Sequence, residues 1–174
     1  MQDIGPEKWT VEHIALLSKI FQLFPSSTKH ACWLIVSAWR EAEGKSQQAA
    51  FKFVSEDIWN IQSIHPYAKS RVLHHLVKNR ADHGSYLEQN KDEFLETKFG
   101  KSIVSIIGSN NGEDVTVLRC YAFEALRQLR PDFTKADVSK FLKSQNVQLN
   151  HSEIGALDSV FMVERTVLDF VFDL

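Results

Sequence analysis

The sequence predicts an all-α fold, and two patterns support this prediction. Ten of the eleven glycines and prolines lie between stretches with helical apolar spacing, and only Gly155 lies within one. Glycine and proline destabilise a helix interior by about 1 and about 3 kcal/mol relative to alanine, so their positions indicate helix boundaries. Between these boundaries, apolar residues recur at three- and four-residue spacing. We therefore expect a bundle of about seven to eight helices with short links.

The predicted helices of the first half follow directly from these boundaries. The first begins after the N-cap Thr10 and ends before Pro25, with a core stripe that consists of Ile14, Leu17, Ile20, Phe21 and Phe24. A second helix ends near Gly44, and a third, less regular helix follows it. Pro66 suits the first position of a helix, and it opens the most regular stretch of the chain, 66–81.

The stretch 101–118 allows two interpretations. Before it, Ser85 and Glu88 form a capping box for a helix that we expect Gly100 to end. The β-branched residues after Gly100 favour a strand, so a minor β element within 101–118 remains an alternative. We favour a helix, because Asp114 is a good N-cap for a segment that reaches Pro131 with helical periodicity.

Two more helices are predicted near the end of the sequence. Thr134 is the N-cap of a short helix to about Ser144, and Asn150 with Glu153 marks the start of the last one. The segment 160–174 is acidic and apolar, and its tail, 166–174, either continues this helix or forms an edge strand. We expect it to pack against the protein's own core, and docking in a partner's groove is the alternative.

Composition is typical of one globular domain comprising residues 1–174, with a possible weak subdivision near 108–112. The formal net charge is −2, which creates no global field that would attract nucleic acid or membranes. The twelve phenylalanines and four tryptophans suit a well-filled core or a core with one exposed docking patch. We see no signal peptide and no apolar run of the ~20 residues that a membrane span needs, and expect a cytoplasmic protein.

The sequence contains no recognisable catalytic or metal-binding pattern. No two of the seven histidines have the i, i+4 spacing of a helical zinc site, so we predict no metal and no cofactor. The serines lack the glycine-flanked turn of a hydrolase nucleophile, and Cys32 and Cys120 lie in apolar stretches. A small hydrolase or metal-dependent enzyme built on the histidines is the weakest of three hypotheses.

The helix 66–81 contains the clearest candidate site. Its face opposite the apolar stripe is basic, and no carboxylate occurs before Asp82. We predict a non-enzymatic adaptor or subunit of a larger assembly, whose protein partner contacts this face and flanking aromatic residues. The predicted site residues are Lys69, Arg71, His74, His75, Lys78 and Arg80.

Nucleic-acid binding is the alternative hypothesis. The stretch 119–143 has six basic and three acidic residues, whereas 150–174 has one basic and five acidic residues. Phosphates would then contact the basic face of helix 66–81 together with Arg127, Arg130, Lys140 and Lys143. The helix pair 134–163 resembles a helix-turn-helix only weakly, since its link is long and contains no glycine.

Overall fold

The computed structural model describes residues 8–24, 29–60, 64–78, 80–81, 84–109 and 114–161. It is a helical bundle, and the predicted all-α class is confirmed. The helices are α1 Val11–Leu23, α2 Lys29–Glu41, α3 Gly44–Lys52, α4 Ile58–Asn60, α5 Pro66–Lys78, α6 Tyr86–Gln89, α7 Lys91–Leu95, α8 Lys98–Ile107, α9 Asp114–Leu129, α10 Lys135–Ser144 and α11 His151–Phe161. A π-helical turn, Phe53–Asp57, joins α3 to α4.

Helix α5 lies in the middle of the bundle. It packs most extensively against α9 and also against α2, while α1 packs on α2 and α3, and α8 and α11 pack on α9. Seven of its thirteen residues are buried, including the adjacent Val72 and Leu73. One continuous apolar cluster takes in side chains from α1 through α11 and includes residues on both sides of 108–112. The predicted weak boundary there stays a prediction, and residues 110–113 lie outside the described part.

Three predicted capping signals form in the structure. Ser85 and Glu88 make a reciprocal capping box at α6, with the Glu88 amide donating to Ser85 Oγ at 3.1 Å. Thr134 makes the same arrangement with Asp137 at α10. At α11 the Asn150 amide donates to Glu153 Oε2 at 2.9 Å. Each bond satisfies a backbone donor that has no partner within its helix, which is why these residues fix the helix starts.

The stretch 101–107 is helical, so the strand alternative is not realised there. It belongs to α8, and 114–118 belongs to α9. The described residues form a β ladder elsewhere, where β1 Arg80–Ala81 pairs antiparallel with β2 Gly84–Ser85. Gly84 has φ +108°, a conformation that favours glycine in this tight turn.

The prediction that Gly100 ends a helix is wrong. The chain turns at Glu96–Thr97, and Gly100 lies in the first turn of α8. A Cβ on Gly100 would lie 2.3 Å from the Phe94 carbonyl oxygen and 2.8 Å from Leu95 Cα. The glycine is therefore needed for close approach of α8 to α7, and not for a helix end.

Most of the aromatic side chains that the structure describes fill the core. Trp39 makes an edge contact with Phe94 at 5.5 Å between ring centroids, and Trp59 packs on Phe99 at 4.8 Å. Phe24 is an exception: it is 58% exposed, so its predicted place in the core stripe of the first helix is wrong. The side chains of Cys32 and Trp33 and the segment 162–174 lie outside the described residues.

Candidate functional site: the face between α5 and α9

The burial of α5 leaves one narrow exposed strip on this helix. Its members are Tyr67, Arg71, His74 and Lys78, at positions i, i+4, i+7 and i+11. This spacing places all four within an arc of about 60°. Tyr67 is 37% exposed and the Lys78 side chain is 50% exposed, whereas Arg71 and His74 are partly buried. The accessible part of the predicted basic face is therefore this strip.

The other predicted residues of helix 66–81 do not belong to the strip. His75 is buried, with 8% exposure, because its side chain points along the α5 face that packs into the core. Lys69 lies on the opposite side of α5, where burial lowers its pKa. The helix ends at Lys78, so Arg80 is in strand β1, and its side chain is outside the described residues. The predicted grouping of these six residues on one solvated face is corrected accordingly.

Helix α9 supplies a second strip beside the first. Val117, Tyr121 and Glu124 recur at three- and four-residue spacing, and Val117 is 45% exposed. The Tyr121 hydroxyl and His74 Nδ1 share a hydrogen bond of 2.9 Å. One turn further, Lys78 Nζ lies 2.8 Å from Glu124 Oε2. The two strips thus run side by side in the same direction and form one surface.

We name this surface the α5–α9 face. It consists of Tyr67, Arg71, His74, Lys78, Val117, Tyr121 and Glu124. Two fixed cations and one carboxylate give it a formal charge of +1 with neutral histidine. Gln128 fixes its C-terminal end, since its Nε2 donates to the Val77 carbonyl oxygen at 3.3 Å and its Oε1 accepts from Ser85 Oγ at 2.8 Å. The face is therefore set on two helices that are anchored to each other.

Electrostatics on the face favour an incoming negative charge. The pKa of His74 is lowered, first by burial and then by the charges of Arg71 and Lys78, while Glu124 acts in the opposite direction. The buried Nε of Arg71 has no hydrogen-bond partner among the described residues. The two cations thus outweigh the single carboxylate at His74.

Of the four predicted basic residues of 119–143, Arg127 lies at the end of the α5–α9 face and the other three lie elsewhere. Arg127 donates from Nη1 to the Pro131 carbonyl oxygen at 2.6 Å and lies at the C-terminal end of the α5–α9 face, one turn after Glu124. Arg130 packs over Phe133, at 5.3 Å from the ring centroid. Lys140 and Lys143 are exposed on α10 at i, i+3 spacing. Arg130, Lys140 and Lys143 therefore do not join the α5 strip in a single basic surface.

A buried ion pair was not predicted from the sequence. Arg119 Nη1 lies 2.6 Å from Glu153 Oε1, and the side chains are 7% and 2% exposed. Arg119 also donates to the carbonyl oxygens of Ile107, at 2.8 Å, and Ser109. It thereby joins the end of α8 to α9 and the start of α11. Glu153 was recognisable as a cap, but its distant partner had no signal in the sequence.

Helix α1 has an exposed apolar stripe that the sequence analysis also missed. Leu16, Leu23 and Phe24 are 58, 70 and 58% exposed, the highest values among the large apolar side chains that the structure describes. Ile20 lies between them and is partly buried against the core. The apolar arc of α1 is wider than its contact with the bundle, and periodicity alone cannot show which part is covered.

Two kinds of feature were searched for in the described ranges, a metal-holding cluster and a membrane-spanning helix. No group of three or more His, Cys, Asp or Glu side chains there could hold a metal ion. No helix in these ranges has both the length and the apolar character that a membrane span requires. Cys120 is a free thiol whose pKa is raised, mainly by burial and secondly by Glu153, so it is largely protonated at neutral pH.

Comparisons with protein-family models, with curated proteins and with solved structures find no match to this chain.

Proposed function

We propose that this protein is a non-enzymatic binding protein, an adaptor or subunit of a larger cytoplasmic assembly, and that a protein partner contacts the α5–α9 face. The observation that carries the proposal is the single strip formed by Tyr67, Arg71, His74 and Lys78 beside Tyr121. Tyrosine and arginine are enriched among the residues that dominate binding energy at protein interfaces. The formal charge of +1 favours a partner segment with acidic and apolar side chains.

The rigidity of the face also supports this proposal. Tyr121, Glu124 and Gln128 hold the two helices together through contacts of 2.8 to 3.3 Å. A surface that is ordered before binding loses less conformational entropy when the partner arrives. Arg71 and His74 are partly buried, which restricts their rotamers before binding and so also reduces the entropy that binding costs.

The test is a quantitative affinity purification from the source cell with three tagged double variants. Arg71→Glu/Lys78→Glu alters the face, and Arg71→Gln/Lys78→Gln removes its charge without placing an acid beside Glu124. Lys98→Glu/Lys101→Glu is the matched control, because these lysines are exposed on α8, outside the face. We expect one or more proteins to be recovered with the wild type and the control but reduced by roughly tenfold with both α5 variants, a loss of about 1.4 kcal/mol. Equal recovery with all variants contradicts the proposal.

Nucleic-acid binding is retained as a second candidate because Lys140 and Lys143 are exposed on one face of α10. This hypothesis predicts that a labelled 20-nucleotide duplex binds at 50 mM salt and much more weakly at 200 mM. It also predicts that Lys140→Glu/Lys143→Glu abolishes the binding whereas Lys98→Glu/Lys101→Glu does not. Absence of a mobility shift at 50 mM salt excludes it.

A further inference from the structure

We propose that segment 162–174 of this chain docks on the α5–α9 face and competes there with the partner. The inference rests on the proposed function, since it requires the face to be a peptide-binding surface. Helix α11 ends at Phe161, whose ring centroid lies 6.0 Å from the guanidinium carbon of Arg127. Arg127 follows Glu124 by one helical turn on α9. The last described residue, Phe161, therefore lies beside the C-terminal end of the face.

Residues 162–174 are numerous enough to follow the face. From Tyr67 to Lys78 the strip on α5 covers eleven helical steps, which is about 16 Å. The thirteen residues 162–174 span about 20 Å as a helix and at most about 45 Å when extended. From Arg127, an extended chain reaches along the whole strip, and a helix reaches along most of it.

The charge and the apolar content of segment 162–174 complement those of the α5–α9 face. The segment contains three acids against Arg165, which gives it a charge of −2; the acids are Glu164, Asp169 and Asp173. The face presents Arg71 and Lys78 against Glu124, with Arg127 at its end. Eight of the thirteen residues are large and apolar, including Phe170 and Phe172, and these suit the exposed rings of the face. The same chemistry that we propose for the partner is thus present within the chain.

The exposed apolar stripe of α1 is the other surface on which segment 162–174 could dock. Two observations favour the α5–α9 face instead. Helix α1 packs mainly on α2 and α3, whereas α11 packs on α9, where segment 162–174 begins. The exposed members of the α1 stripe are uncharged apolar residues with Lys19 beside them, whereas the α5–α9 face offers two cations, Arg71 and Lys78. The α5–α9 face provides both apolar contact and opposite charge.

The experiment places a photo-cross-linking residue at position 170 of the full chain, as Phe170→p-benzoylphenylalanine. After irradiation of dilute protein, peptide mapping should find cross-links within the same chain to 67–78 and 117–124. Arg71→Glu/Lys78→Glu should lower their yield by roughly tenfold, and Lys98→Glu/Lys101→Glu should not. Adding Asp169→Lys/Asp173→Lys to Arg71→Glu/Lys78→Glu should restore the yield. The face then has the acidic residues and the segment the basic ones, so their charges are again opposite.

Three outcomes overturn the inference: cross-links to α1, cross-links between two chains that increase with protein concentration, or a yield that does not respond to the reversals. Its failure can be distinguished from failure of the proposed function. Partner loss in the α5 variants together with cross-links elsewhere removes only the docking of 162–174. Cross-links on the face together with unchanged partner recovery keep the docking of 162–174 but remove the proposed function and, with it, the competition for the face.

Discussion

Arg119 and His75 show how single side chains acquire roles that their sequence neighbours do not reveal. Both are basic residues in stretches that suggest a polar surface, and both are buried in the bundle. Arg119 tolerates burial because Glu153 and two carbonyl oxygens satisfy its donors. His75 tolerates burial because it is uncharged at neutral pH, with a pKa of about 4. Burial in each case depends on tertiary neighbours, which one sequence does not identify.

The Arg119–Glu153 pair yields a prediction about stability. Glu153→Gln keeps the shape of the side chain but leaves the buried Arg119 charge uncompensated, so we expect a loss of about 3 to 5 kcal/mol in unfolding free energy. Asp158→Asn is the matched control, because Asp158 and Lys135 are also 2.6 Å apart but are 36 and 48% exposed. This control should cost less than about 1 kcal/mol. Urea unfolding at pH 7 measures both values, and equal losses contradict the assigned role of burial.

His75 yields a prediction about pH. Burial is the first cause of its lowered pKa, and the neighbouring His74 and Arg71 add to it. The unfolded chain therefore takes up this proton more readily than the folded one, and stability is lost as the pH falls from about 6.5 towards about 4. At pH 5 the loss from His75 alone should be about 2 kcal/mol relative to pH 7.5.

The variant His75→Gln tests this account, since it cannot gain the proton. We expect its unfolding free energy to change less between pH 7.5 and pH 5 than that of the wild type, whatever its absolute stability. The range stops at pH 5, above the region where the lowered carboxyl pKa of Asp137 contributes. An identical pH dependence in both proteins would show that His75 is not the group responsible.

At the scale of helices, the sequence predicted where several helices start, but not where the chain turns between α7 and α8. Thr10, Ser85, Thr134 and Asn150 start helices where the sequence predicts, because capping is a local interaction between residues three apart. The separation of α7 from α8 depends on Thr97, whose hydroxyl donates to the Phe94 carbonyl oxygen at 2.6 Å, and on the close approach at Gly100. Such close approach is a tertiary property.

Two glycines inside helices should respond in opposite ways to alanine. A Cβ on Gly155 in α11 meets no atom within 4 Å, so Gly155→Ala should stabilise the protein by about 0.5 to 1 kcal/mol through helix propensity. Gly100→Ala should destabilise it, by about 1 to 3 kcal/mol, because the added carbon collides with backbone atoms of α7. Thermal melting of the two variants gives the signs directly. A loss of stability in Gly155→Ala contradicts the packing described for α11.

On the scale of the whole molecule, the sequence predicted the class of fold, and a part of the candidate site. Amphipathic periodicity identifies the apolar side of a helix, but not how many neighbours cover the remaining sides. Helix α5 has neighbours on several sides, and this reduces a predicted basic face of six residues to the strip of Arg71, His74 and Lys78. Tyr121 and Val117 join the strip through packing of α9, which the sequence does not specify.

The most direct test of the account is the affinity of the recovered partner for purified variants of this protein. We expect Arg71→Gln/Lys78→Gln to weaken binding by roughly tenfold or more, and Lys98→Glu/Lys101→Glu to leave the dissociation constant within about twofold of the wild type. A partner that binds both variants equally well would contradict the assignment of the α5–α9 face as the binding surface.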